Sequence, residues 1–134
     1  MTERAELGEL LAAAREALGH AYCPYSHYRV GAAVRVASGA VHAACNVENA
    51  SLGLSLCAER AAIAMAVAAG MRAGELTAVA VVAEKGVPAP CGACRQVIAE
   101  FAAAGCTVAV QSGDGGVRMW TAAELLPDAF RALP

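Results

Sequence analysis

The sequence predicts an α/β domain with one mixed sheet held between helical layers. Three observations point there. Helical periods alternate with short β-type runs in the order α-β-β-α-β-α-β-β. The run from Leu76 to Ala83, Leu-Thr-Ala-Val-Ala-Val-Val-Ala, is apolar on both faces, as a central strand covered from both sides should be. The chain's 134 residues suffice for one domain with a core of its own, so residues 1–134 are read as a single domain.

The first helix is expected from Glu3 to about Tyr22, with Leu7, Leu10, Leu11, Ala14 and Leu18 along one face, and Cys23-Pro24-Tyr25-Ser26 breaks it. Tyr28 to Val36 and Val41 to Val47 read as a hairpin turned at Ser38-Gly39. Asn49 to Ser55 is a loop, and Leu56 to Ala69 an all-apolar helix stopped by Gly70. After the central strand, a loop with two prolines leads to a helix over Cys91 to Ala104, ended by Gly105. Thr107 to Gln111 and Val117 to Thr121 are strands joined by Ser112-Gly113-Asp114-Gly115-Gly116, and Ala122 to Leu126 is a short last helix.

Composition narrows the function. The chain is 58% hydrophobic and 16% charged. Its longest apolar stretch, Ala61 to Met71, is too short to span a bilayer and is bracketed by Arg60 and Arg72, so no membrane role is expected. That stretch is apolar all round and needs cover on every side, which predicts a homo-oligomer. Ten Lys plus Arg against twelve Asp plus Glu give a net charge of −2, with Lys85 the sole lysine, so nucleic acid is not an expected partner. The start, Met1-Thr-Glu-Arg-Ala-Glu, does not read as a secretory signal, which implies a cytoplasmic protein. Six cysteines in that setting suggest metal or catalysis rather than disulfides.

The chemistry concentrates in Cys57-Ala58-Glu59 and Pro90-Cys91-Gly92-Ala93-Cys94. Cys91 and Cys94 lie three apart, so in a first helical turn both sulfurs can chelate one ion. Alone, Cys-x-x-Cys could equally be a redox dithiol, and Cys57 an ordinary buried thiol. Together the three suit zinc, with one tetrahedral position left open for water. Both segments open helices, whose N-termini favour thiolate. Glu59 heads the most apolar helix, where burial raises a carboxylate's pKa toward neutrality and suits it to proton transfer. Arg60 can donate to the thiolates and offset their charge. Alternation sends Asn46 and Glu48 to the same side of a strand end, a donor–acceptor pair suited to a sugar hydroxyl. His20, His27 and His42 form no ligand pattern; Cys23, Cys45 and Cys106 read as small core residues, and Trp120 as packing.

Cys-x-Glu followed by Pro-Cys-x-x-Cys is the zinc nucleobase deaminase signature, in the form with cysteine rather than histidine first. The chain resembles the short, homotetrameric cytidine deaminases over nearly its whole length. The resemblance is carried by Pro24-Tyr-Ser-His-Tyr-Arg-Val-Gly-Ala-Ala33, Cys45-Asn-Val-Glu-Asn-Ala-Ser51, Cys57-Ala-Glu-Arg60, Pro90-Cys-Gly-Ala-Cys-Arg-Gln-Val97 and Glu124-Leu-Leu-Pro-Asp-Ala-Phe130. It implies a three-layer α/β/α sandwich with a mixed five-stranded sheet, zinc on Cys57, Cys91 and Cys94, and Glu59 as proton shuttle. It further implies that Asn46 and Glu48 hold the ribose 3′-hydroxyl and that the Ala58 backbone reads the pyrimidine edge. Tyr28 would line the base pocket, and Phe130 would cover the base from a neighbouring subunit. Two positions depart from the family: Tyr28 stands where Phe is usual. Leu52 stands where a Tyr near the sugar's 5′ end is usual.

The implied reaction is hydrolytic deamination of cytidine and deoxycytidine to the uridine nucleosides and ammonia. A deaminase of a cytosine-containing antibiotic, of the blasticidin S type, shares the zinc signature and is the nearest alternative. Retention of Asn46 and Glu48 favours the plain nucleoside.

Overall fold

The computed structural model describes residues 2–132. Its elements are α1 (Glu3–Leu18), β1 (Val30–Val36), β2 (Val41–Cys45), a 3-10 turn (Leu52–Leu54), α2 (Ala58–Ala68), β3 (Leu76–Ala83), α3 (Gly92–Phe101), β4 (Ala102–Gln111), β5 (Val117–Thr121) and α4 (Ala122–Leu125). The five strands form one sheet in the order β2-β1-β3-β4-β5. Only β3 and β4 pair in parallel, joined by α3 as a crossover; the other neighbours are antiparallel.

Strand alternation divides the core. Ala33, Ala80 and Val82 meet Leu10 and Ala14 of α1 on one face. Ala32, Val34, Val79, Val81, Val108 and Val110 meet Ala62, Ile63, Ile98 and Leu125 of α2, α3 and α4 on the other. This is the three-layer sandwich with a mixed five-stranded sheet, and β3, at its centre, has the bounds that its apolar faces predict.

The register sets the place of the site. Val30 pairs with Ala83 and Gly31 with Cys45, so the start of β1 lies level with the ends of β2 and β3. The loops leaving those two strands lead into α2 and α3, and both helix N-termini therefore open at one edge of the sheet.

Several boundaries differ from the sequence reading, each because a long-range contact claims the residue. α1 ends at Leu18 rather than Tyr22, because Tyr22 pairs with Val47 in an isolated parallel bridge. β1 starts at Val30 rather than Tyr28, since the Asn46 side chain accepts from the Val30 N–H and donates to the Tyr28 carbonyl. Leu56 bridges to Val47, so α2 begins only after Cys57, its N-cap. α3 stops at Phe101 and the chain enters β4 at once; the register with β3 then slips, from Leu76↔Ala102 to Ala78↔Thr107, with Gly105 at φ +77° inside the slip. α4 ends at Leu125 behind a capping box of Thr121 and Glu124.

α2 buries Ala58, Glu59, Ala62, Ile63 and Ala66, but Met65 is 49% exposed within this single chain and Ala64, Ala68 and Ala69 are open as well. Of the cysteines read as core, Cys106 is buried, whereas Cys23 and Cys45 are half-buried on the strap before β1 and at the end of edge strand β2. Trp120 packs against the larger core, with the Arg118 guanidinium 4.9 Å above its ring. No helix among the described residues is long and apolar enough to cross a membrane.

Candidate metal and substrate site

Cys57 caps α2, Cys91 caps α3, and Cys94 lies in the first turn of α3. Neither capping sulfur is spent on a helix N–H, so both remain free as ligands. The three sulfurs lie within 4.8 Å of one another, and Cys57 Sγ is 3.9 Å from Cys91 Sγ. A tetrahedral zinc thiolate site with Zn–S of about 2.3 Å separates its sulfurs by about 3.8 Å, so the donor set fits zinc. No other His, Cys, Asp or Glu joins the group among the described residues.

The electrostatics of the cluster follow from its neighbours. Cys57 is held well below the ordinary thiol range, at about 5, by the hydrogen bond from Cys94 and by Arg60, whose Nη2 lies 3.4 Å from its sulfur. Cys94, fully buried, is pushed up by that same bond to Cys57 and by desolvation. The adjacent charged sulfur makes a second negative charge costly unless a cation balances it. The Arg60 Nε is buried without a partner.

Glu59 is the one buried charged residue among those described, 5% exposed, and burial pushes its carboxyl up to about 7. It shares a cavity of about 250 Å³ with Tyr28, Asn46, Glu48, Cys57 and Ala58, which Pro88, Ala89 and Cys91 also line. Clefts of about 430 and 520 Å³ flank α1, but they hold neither the sulfur cluster nor a buried carboxylate.

The polar residues expected to hold a sugar are themselves held. The Asn46 amide spans the entry to β1, leaving one N–H and one lone pair for another partner. Glu48 accepts from the backbone N–H groups of Tyr25 and Ser26, both at 3.0 Å, and from the Ser26 hydroxyl, which together keep its carboxyl below the usual range. Tyr28 finds the partner its hydroxyl needs in the Lys85 carbonyl, at 2.9 Å.

Two further positions that the family resemblance singles out lie apart from this cavity within the one chain. Phe130 is 71% exposed and lies against α3, where its carbonyl accepts from Gln96 Nε2. Leu52 is 75% exposed on the 3-10 turn, outside the cavity lining. The sequence reading also missed residues that the fold brings in. Ser26 anchors Glu48 and lines the cavity, and Arg95 bonds the carbonyls of Pro90 and Leu125, fixing the start of α3. The only local signal for either was a polar side chain beside a motif.

A cysteine-rich metal site at the edge of an α/β/α sandwich, with a buried carboxylate at the first ligand's helix, defines a zinc-dependent hydrolase of the nucleobase deaminase class. Residues 5–110 match the family of the cytidine and deoxycytidylate deaminase zinc-binding region, and the chain belongs to it. The chain is 45% identical over 124 residues to a cytidine deaminase of Halalkalibacterium halodurans, covering 92% of each. It is 42% identical over 126 residues to one from Sporosarcina psychrophila, covering 93% of this chain and 91% of that protein. A crystal structure of cytidine deaminase from Burkholderia pseudomallei is similar with a TM-score of 0.88 and 50% identity, over 97% of this chain and all of that one.

Proposed function

We propose that the protein deaminates cytidine and deoxycytidine hydrolytically to uridine and deoxyuridine, with release of ammonia, as one catalytic domain over residues 1–134. One observation carries the reading: a buried carboxylate, Glu59, sits two residues from Cys57 on a cavity that Cys57 and Cys91 of the three-sulfur cluster also line. Cys57, Cys91 and Cys94 are the zinc ligands. Bound there, zinc supplies the Lewis acidity that makes water a nucleophile at neutral pH.

The chain's own residues move the protons and hold the substrate. Glu59 takes a proton from the attacking water and delivers it to ring N3, which makes C4 electrophilic. After the resulting hydroxide adds at C4, Glu59 relays the new C4 hydroxyl's proton to the amino nitrogen, and ammonia leaves as the C–N bond breaks and C4 becomes a carbonyl. Arg60 donates to Cys57 and offsets thiolate charge. The Ala58 backbone reads the pyrimidine edge and Tyr28 walls the base. Asn46 and Glu48 take the ribose 3′-hydroxyl with the valences that their backbone bonds leave over.

The cavity, at about 250 Å³, falls below the ~300 Å³ lower bound of most small-molecule sites. An exposed Phe130 and the open apolar flank of α2 at Met65 support a homotetramer in which a neighbour's Phe130 completes the site. A salvage role in the cytoplasm fits a free nucleoside substrate.

The test is a spectrophotometric assay of purified protein with cytidine, deoxycytidine and blasticidin S, before and after zinc removal. Zinc-dependent loss of cytidine absorbance is expected. Turnover of blasticidin S alone would replace the substrate while keeping the site, and zinc-loaded protein inert toward all three would sink the reading.

A further inference from the structure

The loop from β3 to α3 walls the cavity through Pro88 and Ala89 and delivers Cys91 to the cluster. Its C-terminal end has an anchor of its own, because Arg95 Nε donates to the Pro90 carbonyl at 2.7 Å. Its N-terminal end is gripped elsewhere. The Tyr28 hydroxyl donates to the Lys85 carbonyl at 2.9 Å, and the Gly86 Cα lies close enough that a Cβ there would stand 3.9 Å from that oxygen. Gly86 takes φ +71°, which bends the chain at this point. The turn between β4 and β5 closes on the same stretch, Glu84 to Gly86. The Gly113 N–H donates to the Gly86 carbonyl at 3.2 Å, and Gly113 packs so tightly that a Cβ would fall 2.5 Å from the Glu84 carbonyl oxygen and 2.7 Å from Lys85 Cα.

We propose that the Tyr28 hydroxyl is a positioning group: with Gly113 it clamps Lys85–Gly86, and this grip sets the Pro88–Ala89 wall and thereby nucleoside affinity. The ring of Tyr28 could line the base without any hydroxyl. The hydroxyl acts on a backbone carbonyl rather than on the substrate, so its removal loosens the wall and leaves the cluster and Glu59 in place. Nucleoside affinity depends on the deaminase reading above; the clamp does not.

The test compares zinc-loaded Tyr28→Phe with the unaltered protein, a change of one oxygen that keeps the ring. In substrate-free protein, amide exchange across residues 85–89 should quicken roughly two- to tenfold, the range one hydrogen bond supports. The KM for cytidine should rise by a comparable factor, with kcat held within about twofold, the pattern of lost uniform binding. Zinc content should not change, since Arg95 anchors the other end of the loop. Unchanged exchange would overturn the clamp, and so would quicker exchange with KM unmoved. A fall in kcat at constant KM would overturn it too, by placing the hydroxyl in the chemistry. If the unaltered protein turned over no cytidine, the deaminase reading would fail first, and the exchange measurement alone would decide the clamp.

Discussion

The guanidinium of Arg60 reaches back along its own helix to the sulfur of Cys57, with Nη2 at 3.4 Å. Three thiolates around a dication leave a net negative charge, which weakens the metal as a Lewis acid, and a donated hydrogen bond draws charge off the sulfur. The Nε of the same side chain is buried with no partner, so the residue is not there to satisfy itself locally. Arg60→Gln should lower zinc affinity or kcat by roughly 10- to 100-fold, the cost usual for groups that orient metal ligands. Zinc titration by competition with a chromophoric chelator, run beside kinetics at saturating zinc, checks both. If neither moves, Arg60 is only packing.

Glu59 is expected to separate chemistry from architecture. It is the only charged residue among those described that lies buried, and it faces the cavity at the start of α2. Glu59→Gln keeps the volume and removes the titratable carboxyl that accepts and returns the proton. The variant should bind zinc and melt like the parent while kcat falls roughly 10⁴-fold, the upper range for general acid–base catalysis, because one carboxylate serves successive transfers. Near-normal turnover would remove Glu59 from the mechanism.

The cluster and its carboxylate were legible in the sequence because their chemistry is local. Cys91 and Cys94 need only a helical turn between them, and Glu59 only its place at the head of an apolar helix. β3 was legible to the residue because both its faces are apolar. The strap from Cys23 to Arg29 was not, because its shape is set by side chains far away in the chain. Glu48 ties down Tyr25 and Ser26, and Asn46 substitutes for a strand partner at Val30. Nothing near Tyr28 announces that its hydroxyl will meet Lys85. The early end of α3 was likewise hidden, since pairing of Ala102 with Leu76 captures the chain before helical propensity is exhausted.

Gly31 tests how closely α1 must lie on the sheet. A Cβ at this position would fall 1.9 Å from the Ala14 carbonyl oxygen and 2.7 Å from the Leu18 nitrogen, both backbone atoms that cannot swing aside. Gly31→Ala should therefore destabilise the fold by at least about 3 kcal/mol, the upper part of the range for overpacking, or prevent folding outright. Thermal melting of the zinc-loaded protein at fixed concentration reads the effect. A loss below 1 kcal/mol would mean that α1 shifts freely, and with it the layer that Leu10 anchors.

Asn46 makes the final case, because its expected role toward the sugar is entangled with a structural one. Its amide donates to the Tyr28 carbonyl at 2.7 Å and accepts from the Val30 N–H at 2.9 Å. Asn46→Asp keeps the acceptor but sets a carboxylate oxygen against the Tyr28 carbonyl. The change should cost about 1–3 kcal/mol of stability in the absence of any nucleoside, as for a half-buried group left unpaired. Loss of kcat/KM alone would not then prove a ribose contact. The discriminating comparison is between cytidine and a 3′-deoxy analogue: if Asn46 touches the 3′-hydroxyl, the analogue's disadvantage should shrink in the variant. An undiminished ratio would confine Asn46 to holding the strand.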